Sequence, residues 1–175
     1  MYISKPILST LCIALIVCIF GIATPEYTHA KTKKTQTPKA LTTVVPYTET
    51  AIVGAQNEVR RAQKLPVLTV HPLLTKAAQR KAQDMVQNGY FDHTTPTGSN
   101  FGDFMIDGGY EYLTAGENLA VHYKTKKGLL QGWMSSPIHR ANILSSSYSD
   151  TGIGMAYGTH QGKTGWIVTQ LFGTD

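Results

Sequence analysis

The chain has 175 residues, of which 42% are hydrophobic and 15% are charged. This composition is typical of a globular protein and excludes a chain that is disordered throughout. The formal net charge is +5, but without Lys31, Lys33, Lys34 and Lys39 twelve basic residues face eleven acidic ones. The charge of the rest of the chain is therefore nearly balanced. It contains no basic stripe with interleaved aromatic residues, so we expect no nucleic-acid partner.

The first thirty residues have the composition of a secretory signal peptide. Lys5 supplies a short positive region, residues 7–23 are almost continuously apolar, and Thr28-His29-Ala30 offers small residues for cleavage. We interpret residues 1–30 as a signal peptide, so the protein is expected to be secreted or retained in the cell envelope. An uncleaved membrane anchor is the alternative, although the apolar run is short for a membrane span.

Both cysteines of the chain, Cys12 and Cys18, lie within the predicted signal peptide. The mature protein is therefore expected to have no disulfide, no cysteine nucleophile and no cysteine metal ligand. Residues 31–47 are rich in lysine, threonine and proline without apolar periodicity, which predicts a flexible linker. Membrane contact is expected only through the signal segment or this basic linker.

The folded domain is predicted to span residues 48–175 and to begin with helices. Apolar residues at helical spacing predict a first helix that ends near residue 63, followed by a short buried extended segment over residues 65–68. Pro72 suits the first turn of a second helix, and Asn88-Gly89 predicts its end in a left-handed cap.

Short helices and strands are predicted for the second half of the domain. They are a helix over 101–107, a strand over 116–121, a helix over 125–135, a one-turn helix from Pro137, and strands around Ile153–Tyr157 and Ile167–Leu171 joined by a loop over 158–165. Helices first and strands last predict an α+β sandwich with a small antiparallel sheet flanked by helices.

Aromatic residues are numerous in this domain. Trp133 and Trp166 are predicted to lie in the core, because tryptophan contributes a large apolar surface. Some of the others are expected to line an apolar groove instead: Tyr90, Phe91, Tyr110, Tyr112, Tyr123 and Tyr148.

Four polar side chains stand at predicted element boundaries, namely His93, Glu117, Ser136 and His139. Pro137 at the first helical position makes Ser136 the predicted N-cap, whose hydroxyl would accept from the backbone N–H of His139. A hydroxyl held in this way is poorly placed as a nucleophile, and no Gly-x-Ser-x-Gly elbow exposes it. These observations argue against a hydrolase that uses Ser136, His139 and Glu117 as a triad.

Several sequence runs resemble bacterial CAP domains, the superfamily of cysteine-rich secretory proteins, antigen 5 and plant pathogenesis-related 1 proteins. They occur in order over nearly all of residues 48–173. The runs are Asn57 with Arg60-Arg61, Gly89-Tyr90-Phe91-Asp92-His93, Gly116-Glu117-Asn118-Leu119-Ala120, Trp133 to Leu144, Gly152-Ile153-Gly154 and Thr169-Gln170-Leu171-Phe172-Gly173. The resemblance implies a three-layer α-β-α sandwich with a central groove.

In much of the superfamily two histidines and two glutamates line that groove. His93 and His139 match the histidines and Glu117 matches one glutamate, but the second glutamate would fall near Ser136, where the chain departs from the pattern. Two neutral imidazoles that face each other can hold a divalent cation such as zinc, with Glu117 as a further ligand or as a group that orients one imidazole. No cofactor is otherwise required.

Three classes of function are kept open. The first is a non-enzymatic exported binding module for a small amphiphile or envelope component, since the superfamily includes sterol- and lipid-binding members. The second is an envelope-associated structural or adhesin-like protein that binds through residues 31–39. The third is a metal-assisted hydrolase that uses His93, Glu117 and His139, although their spacing is not that of H-E-x-x-H enzymes. A monomer is expected because the sequence contains no heptad repeat.

Overall fold

The structure is a computed structural model that describes residues 46–175. The predicted signal peptide and residues 31–45 of the predicted linker lie outside the described residues. The elements in chain order are α1 (Glu49–Ala62), β1 (Thr69–Val70), α2 (Pro72–Asn88), α3 (Phe101–Asp107), β2 (Thr114–Val121), α4 (Lys126–Ser135), α5 (Pro137–Leu144), β3 (Asp150–His160) and β4 (Lys163–Thr174). Within this part of the chain, no helix is both long and apolar enough to cross a membrane.

The four strands form one sheet in the order β1-β3-β4-β2. β1 is parallel to β3, whereas β3–β4 and β4–β2 are antiparallel pairs. The prediction of a small antiparallel sheet is therefore corrected, because the sheet is mixed and has one more strand. A strand of two residues carries too little alternation to be recognised from sequence.

Helices cover both faces of this sheet, which confirms the α+β class and the three-layer α-β-α sandwich. On one face α1, α4 and α5 enclose a core that includes Ile52, Leu129, Trp133, Ile143, Ile153, Val168 and Phe172. On the other face α2 and α3 enclose Leu74, Ala77, Ala78, Met105 and Leu171. The close approach of α2 needs Gly152 and Gly154 on β3, because a Cβ at either position would collide with the backbone of α2.

The hairpin between β3 and β4 is tighter than the sequence predicts. Pairing continues to His160 and Lys163, so the connection is only Gln161 and Gly162, with φ values of 48° and 74°. The predicted loop over residues 158–165 is therefore wrong. Two residues with positive φ suit a tight hairpin, and the flanking pairs form through backbone hydrogen bonds without apolar alternation.

The predicted helix boundaries are confirmed where the cap residues are distinctive. α2 ends at Asn88, and Gly89 follows it in the left-handed conformation with a φ of 68°. α5 is longer than the predicted single turn, since it extends from Pro137 to Leu144. Its last turn is fixed by tertiary contacts with α1, described below, that no local signal reveals.

Burial departs from the predictions at several positions. Leu68 is buried, but Val67 is 41% exposed, so the extended segment is only partly buried. Tyr47, placed in the predicted linker, lies in the core. Trp133 is buried as predicted, whereas Trp166 is only half-buried at the edge of a pocket. The packed domain therefore begins at least one residue earlier than predicted.

Candidate functional site

The candidate site lies at the edge of β2, the last strand of the sheet, which within residues 46–175 pairs with β4 alone. Side chains alternate along this strand, so Glu117 lies on the same face as Leu119, which packs against Met85 of α2. Asn118 lies on the opposite face, where its Nδ2 donates to the carbonyl of His139 at 3.1 Å. The edge of β2 thus carries Glu117 on the side of α2 and Asn118 on the side of α5.

The central contact of the site joins Glu117 and His93. The Nδ1 atom of His93 lies 2.6 Å from Oε2 of Glu117. The glutamate side chain is fully buried, whereas the imidazole is 54% exposed. The other carboxylate oxygen, Oε1, is buried and has no hydrogen-bond partner within residues 46–175. A buried carboxylate therefore orients an imidazole that faces solvent.

A buried lysine lies behind this pair. Lys81 is on α2 and its residue exposure is zero. Its Nζ donates to the carbonyl of His93 and to the hydroxyl of Tyr90, each at 3.2 Å. The ammonium also lies over the rings of Tyr90 and Phe104, 4.9 Å and 5.2 Å from their centroids. Lys81 thus fixes the backbone of the loop that carries His93.

The charges at the site shift the pKa values of three groups. Burial raises the pKa of Glu117, while the hydrogen bond from His93 and the nearby Lys81 oppose that rise. The same hydrogen bond raises the pKa of His93. Burial and the neighbouring His93 lower the pKa of His139. The lowered pKa keeps His139 neutral at neutral pH.

Two asparagines fix the position of α5 against β2. Asn142 donates from Nδ2 to the carbonyl of Glu117 at 3.0 Å and to Oδ1 of Asn118 at 2.9 Å. Asn118 in turn donates to the carbonyl of His139. This network sets where His139 lies relative to Glu117 without using either functional side chain.

Ser136 does not make the predicted cap. It is the N-cap of α5, yet its side chain forms no capping hydrogen bond. The same residue is the C-cap of α4, with its N–H donating to Trp133, so its backbone serves both helices. The triad alternative is not assembled either, because Glu117 bonds to His93 rather than to His139.

The described residues contain no three-ligand metal cluster. Within residues 46–175, no group of three or more His, Cys, Asp or Glu side chains is arranged to hold a metal ion. Glu117 engages Nδ1 of His93, so a ligand of this imidazole would bind Nε2. Of the three predicted metal ligands, His93 and Glu117 are in direct contact, and Glu117 orients that imidazole.

Two buried cations were not assigned a role from the sequence. Lys81 falls in the apolar stripe of α2, between Ala78 and Ala82. Because lysine is almost never fully buried without a partner, its position in this stripe indicates a specific role. Arg60 is also fully buried and donates to four backbone carbonyls. The apolar stripe of α2 therefore gives a signal for Lys81, whereas the buried face of α1 is largely polar and gives none for Arg60.

The model of the cysteine-rich secretory protein family, CAP, matches residues 53–172 of this chain. The chain belongs to the CAP family. The predicted resemblance to bacterial CAP domains is thereby confirmed over most of the described residues, including those that carry His93, Glu117 and His139.

Curated relatives of this CAP chain come from Bacillus subtilis. It is 38% identical over 144 residues to YkwD of Bacillus subtilis (strain 168), an alignment that covers 82% of this chain and 53% of that relative. The chain thus spans about half the length of this curated relative.

Solved structures support the same fold. An extracellular protein containing an SCP domain from Bacillus anthracis str. Ames has a TM-score of 0.61 at 29% identity, covering 73% of this chain and 40% of that chain. An outer surface protein from Borrelia burgdorferi has a TM-score of 0.60 at 20% identity, covering 70% and 89%. The second likeness shows the fold alone.

Proposed function

We propose that this CAP domain is an exported binding module whose ligand-binding surface is centred on His93 and His139. A divalent cation is held between the two imidazoles, and a small envelope component or amphiphile is the ligand class. The description of the Bacillus anthracis relative as an extracellular protein supports export. An envelope role through the basic segment 31–39 stays a prediction, since that segment lies outside the described residues.

The contact between buried Glu117 and exposed His93 is the observation that carries this proposal. Burying a carboxylate has a large desolvation cost, and a buried ion pair seldom returns more than this cost in stability. One oxygen of Glu117 also lacks a partner within the described residues, which adds to the cost. Such an arrangement has little value for folding alone, but it presents an oriented imidazole to a ligand.

The donor set fits a reversibly bound cation. Nδ1 of His93 is engaged by Glu117, so the ring is held with Nε2 available, and His139 offers a second neutral imidazole. When bound, a zinc ion would supply an electrophilic centre with open positions for a ligand. Two protein ligands bind less tightly than the four of a structural zinc site, so exchangeable binding is expected.

Replacing both histidines is expected to abolish zinc binding. Calorimetric titration of zinc into the full chain at neutral pH should give one saturable event that is lost in the His93→Ala/His139→Ala variant. The matched control is His122→Ala/His160→Ala, which also removes two imidazoles and is expected to bind zinc like the unmodified chain. Loss of binding in the control alone would place the cation elsewhere and contradict the proposal.

Zinc affinity is expected to fall in mild acid, beginning above the ordinary histidine pKa of 6.5. The hydrogen bond to Glu117 and the charge of Asp92 raise the pKa of His93, while burial and Lys81 oppose them. His139 has a lowered pKa and remains neutral further into acid. The proton displaced by zinc therefore comes from His93. Titrations in buffers of different ionisation enthalpy measure that proton, and equal affinity at about pH 5 and about pH 8 would contradict the assignment.

A metal-assisted hydrolase is the second candidate function. The same Glu117–His93 contact favours it, because a carboxylate that orients an exposed imidazole also suits general-base catalysis. Ester and peptide substrates are to be tested with zinc for the unmodified chain and for His93→Ala. Hydrolysis that persists at the same rate in His93→Ala would remove this candidate, whereas loss with retained folding would support it.

A further inference from the structure

A second pocket lies where β4 extends past the end of β2, beside the hairpin of β3 and β4. Tyr157 and Trp166 are register partners there, on the face that carries Ile153 and Val168. The cavity has a volume of about 570 Å³, which is within the range of small-ligand sites. Its lining consists of Pro46, His122, Tyr123, Lys124, Tyr157, Lys163, Thr164, Gly165 and Trp166.

The aromatic rings of this pocket are held in place by the fold. Trp166 packs edge-to-face on Tyr157 with ring centroids 5.3 Å apart, and Tyr157 is 41% exposed. The Tyr123 ring lies against Gly132 of α4, where a Cβ would collide with it. The ring faces are therefore positioned before a ligand arrives, which lowers the ordering cost of binding.

The charge of the pocket has one sign. Lys124 and Lys163 are exposed, and neither forms an ion pair within residues 46–175. The lining includes no aspartate or glutamate. β2 ends at Val121, and His122 follows with a φ of 66°, a rare backbone conformation for a non-glycine residue that persists where the surroundings hold it. The chain turns there and brings Tyr123 and Lys124 to the pocket.

We propose that this pocket binds an acidic carbohydrate, meaning a sugar ring that carries a carboxylate. The C–H groups on the face of a sugar ring are weakly positive and pack on the negative faces of aromatic rings. The carboxylate is bound by Lys124 and Lys163. The Thr164 hydroxyl contacts the Thr159 hydroxyl at 2.9 Å and can form a further hydrogen bond with a ring hydroxyl. The lining includes no leucine, isoleucine, valine or methionine, which disfavours an acyl chain.

A nucleotide shares the combination of ring and anion with an acidic sugar. The choice of a sugar rests on the proposed export, because carbohydrate polymers surround an exported protein and nucleotides are intracellular. This part of the inference depends on the proposed function, whereas the pocket itself does not involve His93 or His139. The experiment below keeps the two apart.

The experiment follows the indole N–H signals of the full chain by NMR. The chain has only two tryptophans, and the indole of Trp133 is buried and donates to the carbonyl of Leu119, so it is an internal reference. Methyl β-D-glucuronide is expected to shift the Trp166 signal saturably and to leave Trp133 unchanged. Methyl β-D-glucoside, which lacks only the carboxylate, is expected to bind about fivefold or more weakly.

Variants test which side chains bind the probe. Lys124→Ala/Lys163→Ala is expected to reduce glucuronide affinity to that of the glucoside, and Tyr157→Ala to weaken both sugars. Lys126→Ala/Lys127→Ala removes two exposed lysines outside the lining and is the matched control, with unchanged affinity expected. The His93→Ala/His139→Ala variant is expected to respond like the unmodified chain, so failure of the zinc site leaves this result intact.

Three outcomes would overturn the proposal. An equal shift of the Trp166 signal with acetate would mean that the lysines attract any small anion. Equal affinity for glucoside and glucuronide would remove the acidic group from the ligand. Tighter binding of uridine monophosphate than of the glucuronide would assign the pocket to a nucleotide and would also count against export.

Discussion

Replacing Arg60 with methionine is expected to lower the free energy of unfolding by about 3–5 kcal/mol. Arg60 is fully buried on α1 and donates to the carbonyls of Pro66, Ile143, Ser145 and Tyr148 at 2.7 Å, 2.9 Å, 2.8 Å and 3.3 Å. Methionine fills a similar volume but leaves these buried acceptors without donors. Urea unfolding followed by circular dichroism measures the change.

The neighbouring Arg61 provides the control for this experiment. It is exposed on the same helix, so Arg61→Met is expected to change stability by less than about 0.5 kcal/mol. Arg60→Lys is expected to lie between the two, because an ammonium retains the charge but cannot reproduce the geometry of the guanidinium. Equal urea midpoints for Arg60→Met and Arg61→Met would show that water donates hydrogen bonds to these carbonyls in place of Arg60.

Arg60 also links the stability of the fold to the site. Two of its acceptors, Ile143 and Ser145, lie at the C-terminal end of α5, where a cation stabilises unpaired carbonyls. The same helix carries His139 and Asn142. We therefore expect Arg60→Met to weaken zinc binding as well, through movement of α5 rather than through loss of a ligand.

The elements that the sequence predicts well are those with local signals. The end of α2 at Asn88-Gly89 needs only a residue that tolerates positive φ, and the buried stripe of this helix needs only apolar spacing. The buried face of α1 differs from its apolar spacing, because it includes Gln56, Asn57 and Arg60. β1 and the outer residues of the β3–β4 hairpin have no such local signal, because their side chains are largely exposed and they pair mainly through backbone hydrogen bonds. Their pairing depends on the neighbouring strand that the rest of the fold places beside them.

The site was predictable as a set of residues but not as an arrangement. The family resemblance indicates His93, Glu117 and His139, yet only the structure shows which histidine the carboxylate contacts. His93 and Glu117 are 24 positions apart, and their contact requires α2, its following loop and β2 to be in place together. The missing hydroxyl cap at Ser136 has a similar origin, since one residue joins two helices there.

Replacing Lys81 with methionine is expected to destabilise the domain by about 2–4 kcal/mol at neutral pH. The ammonium bonds to the His93 carbonyl and to Tyr90, and its charge also favours ionised Glu117. Without it the buried carboxylate is left with His93 as its main partner. Lys76→Met, on the exposed side of the same helix, is the control and is expected to be nearly neutral.

A double-mutant cycle separates the role of charge from the role of packing. If Lys81 acts through Glu117, the Lys81→Met/Glu117→Gln variant loses less stability than the sum of the single changes, with a coupling of about 1–3 kcal/mol. Additive losses would show instead that Lys81 acts only through the His93 loop and the aromatic rings that surround its ammonium.

The pH dependence of Lys81→Met gives an independent test of the same coupling. Burial raises the pKa of Glu117 above its ordinary value of 4.5, and Lys81 opposes this rise. Removing Lys81 raises that pKa further, so the folded state retains a proton that the unfolded chain releases just above pH 4.5. The stability of Lys81→Met should therefore be closest to that of the unmodified chain in acid and should fall as pH rises towards neutral. In the Lys81→Met/Glu117→Gln variant this dependence should disappear, because the glutamine cannot ionise. If Lys81→Met instead lowers stability by the same amount at every pH, Lys81 does not act on the ionisation of Glu117.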